Sequence, residues 1–535
     1  MKIGILVIIA FFLPLTAQTS PDTGKLAAAP PSAATNTAAV DPLLPAQDLL
    51  KKGKYAEAAV AFEAIVEKNP TSADARTGLV RSLMRAHKFA EAEDAAKKAV
   101  GAIPSSALVH ATMGDVNFRL GKLSETEGEY RTALTLDPNS ARGWLGLGRV
   151  FDFVSMHKRA AAAFEKAHQL DPEDAQIFEH WLHSLPRTEQ LEAFKKRAGA
   201  NPDTYEARHL KYLAEVTQKK PGQMVTEIKP MELKMMPYGL EVTGVYDINR
   251  SGPMTIRKGY GLQVKFNDRA SSVLLLDTGA DGITIGRKLA EKAGVVKIVD
   301  SYIGGIGDQG SVESYLGWVD KINIAGVEFR NFIVDVSSKN DVADEAGLVG
   351  ADVFDKFLIT LDFRDWRLLL APLPKDPASA PSDDDEVAQD RYIAPEMQSY
   401  TKFFRFGHDL VVPVVVSDKT VGNFILDTGA ELNNISPTFA AQVTKASYQG
   451  DFEVKGVSGR VDRVMTGNKV ILQFARMRIE SHDLPVFSTD NASAWDGTEI
   501  AGFIGIRTLV QTKMTIDYRD GLVNLEVYEF KKARE

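Results

Sequence analysis

Asp277 and Asp427 are the residues of this chain whose type and setting best suit chemistry. Each ends an apolar run in the same turn. Leu274-Leu275-Leu276-Asp277-Thr278-Gly279-Ala280 recurs 150 residues later (427 − 277) as Phe424-Ile425-Leu426-Asp427-Thr428-Gly429-Ala430. Such a run reads as a buried strand, and the glycine permits a tight turn and close backbone approach. An Asp at a strand end is held by a rigid element and aimed into whatever lies beyond. Two carboxylates brought close together cannot both stay ionised, because like charges raise one pKa. A pair sharing one proton can accept a proton from a bridging water while polarising a carbonyl oxygen. That is hydrolysis by direct attack of water, with no metal and no covalent intermediate.

The elements that would position these aspartates repeat as well. Leu348-Val349-Gly350 follows the first turn, and Phe503-Ile504-Gly505 follows the second. Asp362-Phe363-Arg364-Asp365 begins 12 residues after Gly350 (362 − 350), and Asp517-Tyr518-Arg519-Asp520 begins 12 after Gly505 (517 − 505). The C-terminal half is therefore an internal duplication of one β-rich unit.

On these residues each unit resembles a retropepsin-like aspartic protease lobe, of the kind found in bacteria as well as retroviruses. The matching parts are the hydrophobic-Asp-Thr-Gly-Ala turn, the Gly-rich hairpin Gly304-Gly305-Ile306-Gly307, and the hydrophobic-hydrophobic-Gly motif followed by a short helix and a final strand pair. The resemblance covers about residues 240–372 and 400–530. It implies that the two lobes meet and that Asp277 and Asp427 are the catalytic pair. Thr278, Gly279, Thr428 and Gly429 would support the active-site loops, the threonines by hydrogen-bonding across the interface. Gly304, Gly305, Ile306 and Gly307 would form a flap over the substrate. The second lobe offers only Lys455-Gly456-Val457-Ser458-Gly459 as a counterpart, and its aspartate loop continues with the more polar Glu431-Leu432-Asn433-Asn434-Ile435.

Other motifs weigh less. Asp22-Thr23-Gly24 has no strand before it and no partner motif after it, so it reads as chance. Gly305-Ile306-Gly307-Asp308-Gln309-Gly310 fits a dinucleotide-binding pattern, but a strand-like stretch follows it where a helix is required. His180 and His183 lie three apart on a helix without a third metal ligand, which favours packing. Asp362 and Asp517 read as hairpin residues. The chain contains no H-E-x-x-H, P-loop or G-x-S-x-G motif. Neither a metal nor a cofactor is expected.

The 535 residues suffice for three or four domains, and the 44% apolar content suits packed cores. The net charge of −8 argues against nucleic acid as a main partner. The absence of cysteine excludes disulfides, Cys-based zinc sites, a thiol nucleophile and a lipidated Cys. Lys2, the apolar run Ile3 to Leu15 and the small Ala17 read as a secretory signal over residues 1–17. An exported chain, periplasmic or secreted and bacterial, is expected, with no transmembrane span once the signal is removed. Residues 18–40, rich in Ala, Pro, Ser and Thr, read as a disordered tether.

Pro70, Pro104, Pro138 and Pro172 recur every 34 residues between helical patterns. The unit with Trp144, Leu147, Gly148, Phe151, Ala160, Phe164, Ala167 and Pro172 is the cleanest, and Gly114, Tyr130, Ala133 and Pro138 keep its register. Period and pattern resemble the tetratricopeptide repeat. Four repeats run from Asp41 to Pro172, an irregular fifth includes Pro202, and a helix from about Thr204 to Val216 would cap the stack. Stacked repeats make a concave surface that suits a protein or peptide partner.

The expected organisation is multidomain. An α-helical solenoid spans residues 41–219, and two mostly-β acid-protease-like lobes span 220–372 and 400–535. The acidic, Pro-rich linker between the lobes covers 373–399 and contains Asp383-Asp384-Asp385-Glu386. The leading reading is an exported aspartic endopeptidase whose repeats bind a protein substrate or partner. The alternative is a scaffold whose protease-like lobes hold a peptide without cutting it.

Overall fold

The computed structural model describes residues 3–6, 11–12, 41–197, 205–247, 252–340, 342, 346–377, 388–448 and 452–528. Most of the signal-like segment, the tether with Asp22-Thr23-Gly24, Pro202 and the acidic run Asp383–Glu386 lie outside the described residues. Two compact units form: a helical one up to Ser184, and a β-rich one from Leu185 onward that also takes in Asp152–His157.

The helical unit is a series of antiparallel pairs, Leu43–Lys51 with Tyr55–Lys68, Ala73–Arg85 with Phe89–Ala102, Ala107–Arg119 with Leu123–Leu136, and Ala141–Phe153 with His157–Leu170. The 34-residue period sets their starts. Ser72 and Ser106 are N-caps, accepting from the N–H groups of Ala75 and Val109. Ser140 accepts from Gly143, and Asp174 caps the next helix, Ala175–His183. Each cap satisfies an amide that the helix start leaves orphaned. Six residues past each of the first three prolines a side chain reaches back: Arg76, His110 and Trp144 donate to the carbonyls of Pro70, Pro104 and Pro138. Buried alanines such as Ala58, Ala133, Ala160 and Ala167 make room for Phe62, Tyr130 and Phe164. A methyl added at Gly148 would sit 2.5 Å from the Phe164 ring, so close helix approach demands glycine there. His180 stacks on Phe164, a packing role.

In the first lobe, strands β1 (Gly252–Phe266), β2 (Ala270–Asp277), β3 (Ile283–Gly286), β4 (Val296–Gly304), β5 (Val312–Ile324), β6 (Val327–Ser337) and β7 (Gly347–Gly350) share a sheet. It closes with β8 (Phe357–Asp362) and β9 (Arg367–Pro372). The second lobe has β10 (Asp409–Val416), β11 (Thr420–Leu426), β12 (Phe452–Gly456), β13 (Gly459–Arg460) and β14 (Gly502–Ile504), and closes with β15 (Thr512–Asp517) and β16 (Leu522–Val527). The Asp-bearing runs are central strands. β2 lies antiparallel to β1 and parallel to β7, and β11 lies antiparallel to β10 and parallel to β14. The ends of these strands that lead into the aspartates are buried on both faces, residues 274–276 and 424–426 alike, hence their unbroken apolar runs. The hydrophobic-hydrophobic-Gly motifs are the parallel neighbours: Leu348 sits opposite Leu275, and Phe503 opposite Ile425.

The two lobes join in one chain through a shared six-stranded sheet. β8 pairs antiparallel with β15, setting Ile359 opposite Ile516 and Leu361 opposite Met514, and all four side chains are fully buried. Asp362 and Asp517 shape the closing hairpins. Asp362 accepts from Arg367 and the Tyr528 hydroxyl, and Asp517 accepts from the Asp520 N–H.

Two segments differ from the sequence reading. The helix Tyr205–Lys219 does not cap the solenoid; it belongs with the β unit. Its Val216 and Tyr212 cover Ile298, Val299, Leu316 and Trp318 of β4 and β5, an apolar patch that needs covering. The linker expected over 373–399 also ends early. Ala394 and Met397 bury against Leu522, and Arg391 donates to the Asp520 carbonyl. Residues 391–397 are thus part of the second lobe.

Candidate active site

Asp277 and Asp427 come together at the junction of the lobes, both fully buried. The threonines after them form a reciprocal clamp. The Thr278 N–H donates to Thr428 Oγ1, and the Thr428 N–H to Thr278 Oγ1, each at 3.0 Å. Each hydroxyl then donates onward across the interface, Thr278 to the Leu426 carbonyl at 2.7 Å and Thr428 to the Leu276 carbonyl at 2.9 Å.

The glycines explain the rest of the motif. The Gly279 N–H donates to Asp277 Oδ1 at 2.8 Å, and the Gly429 N–H to Asp427 Oδ1 at 2.7 Å. Each glycine also lies against the opposite aspartate. A Cβ on Gly429 would fall 2.3 Å from Asp277 Oδ2, and one on Gly279 3.0 Å from Asp427 Cγ. Only hydrogen in place of a side chain lets the carboxyls approach. The second oxygens, Asp277 Oδ2 and Asp427 Oδ2, are buried without a hydrogen-bond donor among the described residues.

Burial, followed by the Asp427 charge, holds Asp277 well above the usual carboxyl range. Burial lifts Asp427 to about 6. Two facing carboxyls in a dry setting cannot both stay ionised, so the pair favours holding a proton and titrates as a unit.

Gly304, Gly305, Ile306 and Gly307 sit at the tip of the β4–β5 hairpin. A strand follows as well as precedes this glycine-rich turn, which excludes the dinucleotide-binding setting. The second lobe has a hairpin too: β12 and β13 pair through Lys455–Arg460 and Gly456–Gly459. The two tips interlock. The Ser458 N–H donates to the Ile306 carbonyl, the Gln309 N–H to the Ser458 carbonyl and the Asp308 N–H to the Arg460 carbonyl. Ile303 and Val457 from the two hairpins pack with Ala280 and Leu275 of the first aspartate loop.

Several residues of the site escaped sequence reading. Asp281 and Glu431 each lie four residues past their aspartate, and Asp352 and Arg507 each lie two past the motif glycine. In the second lobe these positions hold a Glu431–Arg507 ion pair. In the first they hold two acids, and burial followed by the Asp281 charge raises Asp352 well above the usual range. Aligning the two repeats position by position exposes this contrast. The polar Asn433 and Asn434 are structural, accepting from the Gly505 and Phe503 N–H groups. A second buried acid pair, Asp409 and Asp496, has none of its four carboxyl oxygens served by a donor among the described residues. Register puts Asp409 where the first lobe has Gly259, since Val411 faces Ile425 as Gly261 faces Leu275. No sequence signal marks Asp496 as its mate. His408 beside it is held neutral by burial, and its Nε2 donates to the Gly279 carbonyl at 3.2 Å. Among the described residues no group of three His, Cys, Asp or Glu could hold a metal ion.

Comparison with known families agrees with this architecture. Residues 262–353 match the aspartyl protease family and residues 49–116 the tetratricopeptide repeat family. The chain therefore joins a tetratricopeptide region to a retropepsin-like aspartyl protease domain. Among solved structures, a thermophilic tetratricopeptide protein of Thermus thermophilus is 20% identical, covering 33% of this chain and 97% of its own, with a TM-score of 0.29. PilF of Pseudomonas aeruginosa is 21% identical, covering 33% of this chain and 83% of its own, with a TM-score of 0.28. YrrB, described as a tetratricopeptide protein with an unusual peptide-binding site, is 21% identical, covering 33% and 92%, with a TM-score of 0.22. No curated protein matches the chain.

Proposed function

We propose that this protein is an exported aspartic endopeptidase in which Asp277 and Asp427 share one proton and activate water against a peptide bond. The observation that carries the reading is the pair itself: two buried carboxyls on a reciprocal threonine clamp, with each Oδ2 lacking a donor among the described residues. The ionised member takes a proton from the attacking water while the protonated member polarises the scissile carbonyl. The tetrahedral diol then collapses as a proton passes to the leaving amine. The Gly279 and Gly429 amides hold the Oδ1 atoms, which in this reading leaves the Oδ2 atoms for water and substrate.

An extended peptide suits this site. The N-terminal segments Ile3–Leu6 and Phe11–Phe12 add as strands to β12 and β4, one to each hairpin, so both edges have room for an added strand. Export rests on the charged start and apolar run at the N-terminus, and fractionation of cells expressing the full chain tests it. No helix among the described residues is long and apolar enough to cross a membrane.

The helical unit is proposed to recruit a protein partner through an acidic segment. Arg81, Asp115 and Arg149 fall on successive first helices at 34-residue intervals (115 − 81 and 149 − 115), so they form one stripe. Arg142 and Arg149 both engage Asp115. Arg81 Nε is buried without a partner among the described residues, and burial followed by the Arg142 charge lowers its pKa. Asp115 and Asp174 already act on Arg81, and a partner's carboxylate would add to that counter-charge.

The direct test is incubation of the purified protein with a diverse peptide pool over a pH series, with and without a diol mimic of the tetrahedral intermediate. Diol-sensitive cleavage supports the endopeptidase. Peptide retention without cleavage at any pH would establish the scaffold reading.

A further inference from the structure

The helix Asp490–Asp496 of the second lobe has no part in the chemistry above, yet it touches the first-lobe hairpin. The Asn491 side chain lies 3.0 Å from both the Gly305 and the Gly307 carbonyl oxygens. Both partners only accept, so only the NH2 end of the amide can face them, and its two hydrogens are both used. The helix itself is fixed to the second lobe. Thr489 Oγ1 donates to the Ile500 carbonyl at 2.6 Å, the Ile500 N–H donates to Ser493 Oγ at 2.9 Å, and Ala492 is fully buried. Gly305 and Gly307 are therefore tied to a rigid element of the opposite lobe.

We infer that Asn491 is a positioning residue, a latch whose amide holds the tip of the first-lobe flap closed against the Asp277–Asp427 loops. This rests on the reading of that pair as catalytic. The need for a latch follows from the tip's composition. Gly304, Gly305, Gly307 and Gly310 give the hairpin end high conformational entropy. Gly307 adopts a φ of 131°, which side-chain-bearing residues rarely reach, and a Cβ there would lie 2.3 Å from the Ser458 backbone. Closure thus needs contacts from outside the hairpin. The flap–flap hydrogen bonds join two tips that can move together, whereas Asn491 joins one tip to a fixed helix. Below it, Ile303 packs with Ala280, so holding the tip also holds the wall beside the first aspartate.

The test uses the full chain with Asn491→Ala and Asn491→Asp. The second variant keeps the shape and removes the donors at neutral pH, so it stands if the first folds poorly. Hydrogen exchange is read on peptides containing residues 304–310 and 456–460, with the β2 and β11 strands as internal controls. Two hydrogen bonds to buried carbonyls predict roughly tenfold faster exchange at the Asp308, Gln309 and Ser458 amides, with the controls unchanged. Peptide turnover should show KM raised roughly tenfold and kcat held within about twofold, since the substrate is less firmly enclosed while the dyad is intact. Unchanged flap exchange in both variants, or a fall in kcat at constant KM, would overturn the latch. If the wild-type protein cleaves no peptide, the endopeptidase reading fails while the exchange experiment still decides the latch.

Discussion

Thr278 and Thr428 each donate their backbone N–H to the other's hydroxyl at 3.0 Å, and each hydroxyl donates in turn to the carbonyl before the opposite aspartate. The four bonds make the two aspartate loops one unit. A displacement of either lobe must break all of them in a fully dry setting, where an unpaired polar group is costly. The clamp therefore converts two loops from distant parts of the chain into a pair with fixed separation.

Replacing Thr278 or Thr428 by Val removes two of these bonds and leaves a buried carbonyl and a buried N–H unpaired. Each variant should lose about 2–4 kcal/mol of stability in the β unit, measured by denaturant unfolding. It should lose peptide turnover as well, because the dyad spacing relaxes. Equal stability to wild type would show that the clamp is not what joins the loops.

Asp277→Asn and Asp427→Asn should each reduce peptide cleavage by at least roughly a thousandfold, because one shared proton needs both carboxyls. Neither should unfold the protein, since each removes a buried charge and keeps the shape. Near wild-type turnover in either single variant contradicts the intramolecular pair.

Gly429→Ala and Gly279→Ala should differ. The added methyl at 429 collides with Asp277 Oδ2 at 2.3 Å, whereas the one at 279 meets Asp427 Cγ at 3.0 Å. The first should abolish turnover and the second leave a measurable remainder. Steady-state kinetics of the two variants, compared side by side, checks the order.

The β unit should be more stable in acid than in base. Burial raises Asp335 to about 7 and Asp517 to about 6, and raises Asp409 and Asp496 well above the usual carboxyl range. An acid whose folded pKa exceeds its unfolded value of about 3.9 contributes stability that is complete below that value and lost as pH rises through the folded pKa. Thermal melts of the β-unit transition should therefore move down between pH 5 and pH 8, and Asp335→Asn should flatten part of that slope. A melting temperature that rises over this interval would refute the assignment.

Arg81→Gln should weaken binding of an acidic peptide to the helical unit while leaving turnover of short peptides unchanged. Binding titrations and peptide assays on the full chain separate the two effects. Loss of short-peptide cleavage would instead tie this face to the active site.

Much of the architecture is written in local pattern. The 34-residue spacing of prolines carries the helix pairs, since caps and packing glycines repeat in phase with it. The doubled Asp-Thr-Gly turn carries the two central strands, because a strand buried on both faces must be apolar without alternation. The duplicated hydrophobic-hydrophobic-Gly motifs carry their parallel neighbours for the same reason. The feature hidden from such reading is long-range geometry. Asn491 meets Gly307 across 184 residues, and Asp409 meets Asp496 across 87 (496 − 409). No local period encodes those encounters. The clasp of β8 on β15 likewise decided that the lobes pair within one chain, since two duplicated lobes are equally able to pair with their own copies. The helix Tyr205–Lys219 is the clearest contrast. Sequence pattern places a helix here as a cap of the solenoid, but only the apolar patch on β4 and β5 determined which surface it would cover. Sequence alone determined the chemistry available to this protein, through residue types and strand-end positions. The tertiary structure decided which carboxyls face each other and which stay buried apart, because separations of a few ångströms arise from packing between segments that sequence order keeps far apart.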